Sequence, residues 1–222
     1  MKKNRIILLV LLTGLWSLNS FAQLSAVKFN WRNQNSKIEF QHKWSFGTGL
    51  NVVDDSADPF GFFKDPSEKG NFSFPIAIYT EYNISSVFSL SAAISSNTYS
   101  TGKVIDSKYI IDGDAKYIAT DIFGRIYFRN FFKTVVFDPY IALGTGFTKV
   151  GSYKISGDME NPDEIIEVPA TNRFTANAGF GFNFWFTKNW GANLNLTGKW
   201  VINKQEYTSN HKQYSLGLVY LM

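Results

Sequence analysis

An all-β, eight-stranded, antiparallel up-and-down transmembrane β-barrel is the fold that three features of the sequence predict. From Lys43 onward, eight segments of about 9–13 residues alternate apolar and polar side chains with period two, the length that a tilted membrane strand requires. The connections between these segments alternate short and long. Aromatic residues gather at the segment ends, and Ile, Leu and Ala hold the middles.

The first segment, KWSFGTGLNV, puts Trp44, Phe46, Thr48, Leu50 and Val52 on one face and Lys43, Ser45, Gly47, Gly49 and Asn51 on the other. The second, FSFPIAIYTEYN, separates Phe72, Phe74, Ile76, Ile78 and Tyr82 from Ser73, Pro75, Ala77, Tyr79 and Glu81. In the third, VFSLSAAISSN, Phe88, Leu90, Ala92 and Ile94 oppose a serine-rich face. The fourth, YIATDIFGRIYFR, sets Ile118, Ile122, Ile126 and Phe128 against Ala119, Asp121, Arg125 and Arg129. The fifth, DPYIALGTGFT, carries Ile141, Leu143 and Phe147 opposite Ala142, Gly144 and Gly146. In the sixth, RFTANAGFGFNFWFT, five phenylalanines share one face, and Thr175, Asn177, Gly179, Gly181 and Asn183 share the other. The seventh and eighth, WGANLNLTGKWVI and QYSLGLVYLM, continue the pattern with Leu194, Leu196, Trp200, Leu216 and Leu218 on the apolar side.

Short links (NISS, NFFKT, TKN) join segments two to three, four to five and six to seven, whereas residues 53–71, 99–115, 149–171 and 203–210 form long ones. Short periplasmic turns, long extracellular loops and an even strand count are the arrangement of a bacterial outer-membrane barrel. At the short-turn end, Trp44, Tyr82, Phe88, Phe128, Phe184, Phe186, Trp190 and Tyr220 make an interfacial girdle; Phe72, Phe147, Trp200 and Tyr214 make a thinner one opposite. A soluble eight-stranded cup would turn its apolar face inward and show water a Lys- and Glu-rich face. The polar faces here are mainly Gly, Ala, Ser, Asn and Thr, small enough for the crowded inside of a small barrel.

Lys2, Lys3 and Arg5 precede an apolar run from Ile6 to Leu18, and Ser20 and Ala22 suit a signal-peptidase site, so residues 1–22 are expected to be a cleaved export signal. Without them the chain has 19 basic against 18 acidic residues, a balance that gives no reason to expect a nucleic-acid partner. The chain has no cysteine, which excludes a disulfide framework and thiolate metal ligation. Residues 23–42 are expected to form a polar periplasmic tail, either disordered or a docking segment, since Val27, Phe29, Trp31, Ile38 and Phe40 alternate to give an apolar face that a neighbouring protein's sheet could cover. Residues 43–222 form the barrel.

The inward faces carry Lys43, Glu81, Asp121, Arg125, Arg129, Arg173 and Lys199. Unpaired charges in a narrow lumen cost several kcal/mol, so Glu81 and Asp121 are expected to pair with Arg125, Lys199 or Arg173. Such pairs order a plugged interior or gate an ion path; eight strands enclose little more than side chains, which favours the plug. Of the two histidines, His42 and His211, the second lies near the outer end of strand eight, but Ser215 is four residues away, roughly 13 Å along a strand, too far for a nucleophile and its base. No catalytic, cofactor or metal site is expected. The acidic run Asp54, Asp55 and Asp58 lacks the spaced ligand series of a helix–loop–helix calcium site and reads as a solvated turn. Sequons at Asn71, Asn83 and Asn195 fall on strand ends, a turn and an inward position, which argues against their use.

Ser215, Gly217, Tyr220 and Met222 have the spacing of the C-terminal signal read by barrel-insertion machinery, with Met222 where Phe usually ends it. With GLNVVDDS, YSTGKVID, FDPYIALGTGF, FNFWFTKNWGANLNLTGKW and NHKQYSLGLVY, the chain resembles the barrel domain of OmpA-like outer-membrane proteins over roughly residues 43–222. The resemblance covers the barrel alone and not the peptidoglycan-binding domain that such proteins often carry, so the chain is expected to be similar to the shorter OmpX-like type. The resemblance implies a non-enzymatic barrel in contact with outer-membrane lipid and lipopolysaccharide, serving membrane integrity or surface contact. It also implies an O-glycan acceptor at Ser56. Two other functions fit the same chain: an accessory subunit of a larger secretion, uptake or barrel-insertion assembly, and a small porin-like pore.

Overall fold

The computed structural model describes residues 44–56, 58, 60–70, 73–105, 108–112, 114–132, 136–156, 164–203 and 208–222. The expected signal, the tail, His42 and Lys43 lie outside these residues. Eight long strands close into a barrel: β1 (Trp44–Asp54), β2 (Ser73–Asn83), β3 (Phe88–Tyr99), β6 (Ala115–Tyr127), β7 (Phe137–Val150), β10 (Thr171–Trp185), β11 (Trp190–Val201) and β12 (His211–Leu221). Every pairing is antiparallel, and each strand lies between its two neighbours in chain order, with β12 returning to β1. The expected all-β, eight-stranded up-and-down barrel is the fold observed.

Alternation sets the two surfaces. Along β6 the even-numbered residues Ile118, Ile122 and Ile126 are exposed, and the odd-numbered residues from Tyr117 to Tyr127 are buried. The same holds around the ring: Phe46, Leu50, Ile78, Ile94, Leu143, Phe180 and Leu216 all face outward and are exposed. Soluble monomers rarely expose a continuous apolar surface of this extent, and closure leaves no unpaired strand edge in the ring. The outer wall is therefore a lipid-facing belt. Its short-turn end carries the expected girdle, where Trp44 meets Tyr82 and Trp190 meets Tyr220, each pair with ring centroids 4.9 Å apart. At the other end Phe147 meets Phe174 at 5.1 Å.

The seam where the terminal strands meet is fixed by glycine. Gly49 stands opposite Gly217, and a Cβ on Gly217 would come within 2.4 Å of the Thr48 carbonyl oxygen and 2.8 Å of the Gly49 Cα. Side chains there would push the backbones apart, so the small pair permits the close approach.

Two long links contain structure that periodicity does not reveal. β4 (Val104–Ile105), β5 (Lys108–Asp112), β8 (Tyr153–Ser156) and β9 (Ile165–Val168) make a four-stranded sheet in that order. Its inward side chains Ile105, Ile110, Tyr153, Ile155 and Val168 pack with Val53, Tyr99, Tyr117 and Val150 in an apolar cluster at the long-loop end of the barrel. Runs of two to five residues are too short for alternation to be told from chance, which is why residues 99–115 and 149–171 read as plain loops. A single helical turn, Arg129–Phe132, takes the last residue of the fourth predicted segment and the start of the NFFKT link.

Candidate functional site

Among the described residues, the barrel interior and its two ends hold four buried ion pairs, stacked along the barrel. Nearest the short turns, Arg129 Nε lies 2.7 Å from Asp138, and its guanidinium sits 3.9 Å from the centre of the Tyr127 ring. One step further in, Arg125 Nη1 donates to Glu81 Oε2 at 2.7 Å, while Tyr127 Oη and Ser89 Oγ donate to Glu81 Oε1, each at 2.5 Å. The Arg125 guanidinium also lies 4.6 Å from the centre of the Tyr140 ring. A carboxylate with three donors, facing a cation that also rests on an aromatic face, meets the condition for burying both charges.

The middle pair joins Lys199 Nζ to Asp121 Oδ2 at 2.7 Å, and Asn177 Nδ2 donates to Asp121 Oδ1 at 2.8 Å. Lys199 also approaches Tyr117 Oη, which shares a 3.0 Å hydrogen bond with His211 Nε2. At the long-loop end, Arg173 Nη1 donates to Asp55 Oδ2 at 3.0 Å, Tyr99 Oη donates to the same oxygen, and Ser209 Oγ donates to Oδ1. Burial raises the Asp55 pKa, but the charges of Arg173 and His211 and the Ser209 hydrogen bond outweigh it, and the group stays below its ordinary value.

The expected partners are thus found for Glu81, with Arg125, and for Asp121, with Lys199. Arg173 instead takes Asp55, and Arg129 takes Asp138. Sequence reasoning missed Asp138 and the tyrosines Tyr99, Tyr117, Tyr127 and Tyr140. The last three could have been found, since each falls on the polar register of its strand.

The acidic run differs from the expected solvated turn. Asp54 and Asp55 are fully buried, and only Asp58 meets solvent. Asp54 accepts from the Ser56 amide at 2.9 Å, from Ser56 Oγ at 2.5 Å and from the Phe62 amide at 3.0 Å, and lies 3.3 Å from Lys212 Nζ. The Asp54 carboxylate folds the first loop back on itself, because a buried anion gathers the nearest free donors. Ser56, named above as a glycan acceptor, is itself buried and donates its hydroxyl to Asp54. His211 faces Tyr117, while Ser215 stands between Asn51 and Asn195 on the neighbouring strands. Among the described residues, no three acidic or histidine side chains converge on a cation position.

A closed ring with an apolar wall outside and paired charges inside defines an integral membrane β-barrel of eight strands. No family profile and no curated protein matches the sequence. Solved outer-membrane structures do resemble it. OprG from Pseudomonas aeruginosa aligns over 82% of this chain and 96% of its own, with 10% identity and a TM-score of 0.53. Ail of Yersinia pestis aligns over 81% and 97%, with 14% identity and a TM-score of 0.47. The N-terminal barrel domain of Pseudomonas aeruginosa OprF covers 82% and 100%, at 15% and 0.45. At these identities the likeness is one of fold, and the OprG superposition carries it.

Proposed function

We propose that this chain is a non-enzymatic outer-membrane barrel with a plugged lumen, exported by the signal at residues 1–22, which supports membrane integrity and presents its long loops at the cell surface. The observation behind the reading is the buried stack of four ion pairs, above all Arg125 with Glu81 at 2.7 Å. Arg173, Tyr99, Tyr117, Tyr140, Lys199 and His211 are among the largest fully buried side chains of the described residues, and all point inward. Eight strands leave space for about this much side-chain volume and little else. An ion crossing such an interior would have to break several charge-assisted hydrogen bonds in sequence, each costing more than its neutral counterpart.

The lipid-facing belt supplies contact with phospholipid and with the acyl chains of lipopolysaccharide, and the C-terminal strand presents Tyr220 and Met222 to the insertion machinery. Reconstitution in planar bilayers tests the plug. A silent membrane, with the protein shown to be inserted by protease protection, is the expected result. Discrete conductance steps would replace the plug with the gated path.

A further inference from the structure

We propose that the first long loop is a membrane anchor, which lays Phe60, Phe62 and Phe63 into the outer-leaflet lipid beside Tyr214 instead of standing in water. The inference rests on the membrane placement proposed above.

Tyr214 lies on the lipid-facing side of β12, opposite Val52 and Leu196. The helical turn Gly61–Lys64 lies over this wall, and the next turn, Pro66–Lys69, is held from the other side, where Lys103 Nζ donates to the Ser67 carbonyl. The rings of Phe62 and Phe63 reach Tyr214 with centroids 5.0 and 5.3 Å away. Tyr214 is six residues from Tyr220 in the inner girdle; at ~3.3 Å per residue and a tilt of ~40° it stands about 15 Å higher. The apolar band of such barrels is ~25 Å tall. Side chains touching the Tyr214 ring are therefore within the band's height, and Phe60 and Phe63, 65% and 60% exposed, have lipid as their neighbour. The surface is continuous with the belt that the barrel already offers.

The backbone is prepared for that environment. Groups near hydrocarbon must find their hydrogen-bond partners within the protein. Six consecutive amides do so: Phe60 donates to Asp58 Oδ1, Gly61 to the Asp58 carbonyl, Phe62 to Asp54 Oδ2, Phe63 and Lys64 to the Phe60 carbonyl, and Asp65 to the Gly61 carbonyl. Charge is handled locally too. Lys64 Nζ lies 2.9 Å and Lys69 Nζ 3.5 Å from Asp58 Oδ2, so the cations have a partner at the polar margin while their stems reach toward the headgroups. A loop serving only as an aqueous recognition surface has no need to pair every amide from Phe60 to Asp65 internally next to exposed phenylalanines.

The chain has no cysteine, so single labels are unambiguous. Phe60→Cys and Phe63→Cys are labelled with a nitroxide in vesicles of phosphatidylethanolamine with phosphatidylglycerol, and collision rates with oxygen and with a water-soluble nickel chelate are compared. Ile122→Cys in the belt and Ile165→Cys on the small sheet, 62% and 63% exposed, are the lipid and water references. Both loop sites should favour oxygen as position 122 does, and position 165 should favour nickel. If positions 60 and 63 behave like 165 while 122 reports lipid, the anchor is overturned and the barrel placement stands. If 122 also favours nickel, both are overturned.

Discussion

Replacing Glu81 with Gln removes one charge from the buried Arg125–Glu81 ion pair while keeping its size. Tyr127 and Ser89 can still donate to the amide oxygen, and the Tyr140 ring still faces the Arg125 guanidinium. What is lost is the anion 2.7 Å from Arg125, whose side chain is 4% exposed. Breaking a buried pair from one side costs ~3–5 kcal/mol, and the surviving contacts place this case near 3. That is roughly a 150-fold shift in the folding equilibrium, at about 1.4 kcal/mol per tenfold. Urea titration in lipid vesicles, followed by tryptophan fluorescence, measures it for Glu81→Gln, Arg125→Met and the double variant. The double variant should recover about 2 kcal/mol relative to the sum of the singles, because no charge is then left alone. A single-variant loss below about 1 kcal/mol, or strict additivity, would show that the interior is wet and the pair solvated.

The closed barrel predicts that the unheated protein migrates faster in a denaturing gel than the boiled protein; identical mobility would refute closure. At the seam, Gly217→Val brings a Cβ within 2.4 Å of the Thr48 carbonyl oxygen, a backbone atom that cannot swing aside. The cost is at least ~1–3 kcal/mol, read as loss of the fast-migrating band after refolding, and a normal folded yield would contradict the close approach. In loop one, the Lys64 hydrogen bond, followed by the Phe60 amide, lowers the Asp58 pKa from 3.8 to about 2. A carboxylate depressed in the folded state contributes its stabilisation above the unfolded value and loses it as pH falls through the folded one. A nitroxide at position 63 should thus keep its mobility from pH 7 to about 4 and loosen only as pH approaches 2. Loosening already at pH 5 would assign the clamp to some other group.

Much of the barrel was legible from residue order alone, because alternation is a local property. Whichever residues of KWSFGTGLNV face lipid, the intervening ones must face the interior, and the structure keeps that division on the eight strands wherever their side chains are described. Strand count, the alternation of short and long links and both girdles follow from the same local pattern. Two ion pairs could also be anticipated, since Glu81, Asp121, Arg125 and Lys199 all lie on inward registers of their strands. Partner choice could not be read for every charge. Arg173 and Asp55 are 118 positions apart, and their meeting depends on β12 returning to β1 so that the loop-one carboxylate leans over the barrel mouth. The small sheet of β4, β5, β8 and β9 escaped for a related reason: its strands pair across different loops and carry too few residues for a period to show. So did the burial of Asp54 and the packing of Phe62 and Phe63 on Tyr214, which join a loop to a strand over 150 residues later. The sequence by itself determined which side of each strand meets lipid, since a side-chain period of two needs only neighbouring residues. Tertiary structure alone decided which charges neutralise each other and where the first loop lies, because register and closure belong to the whole ring.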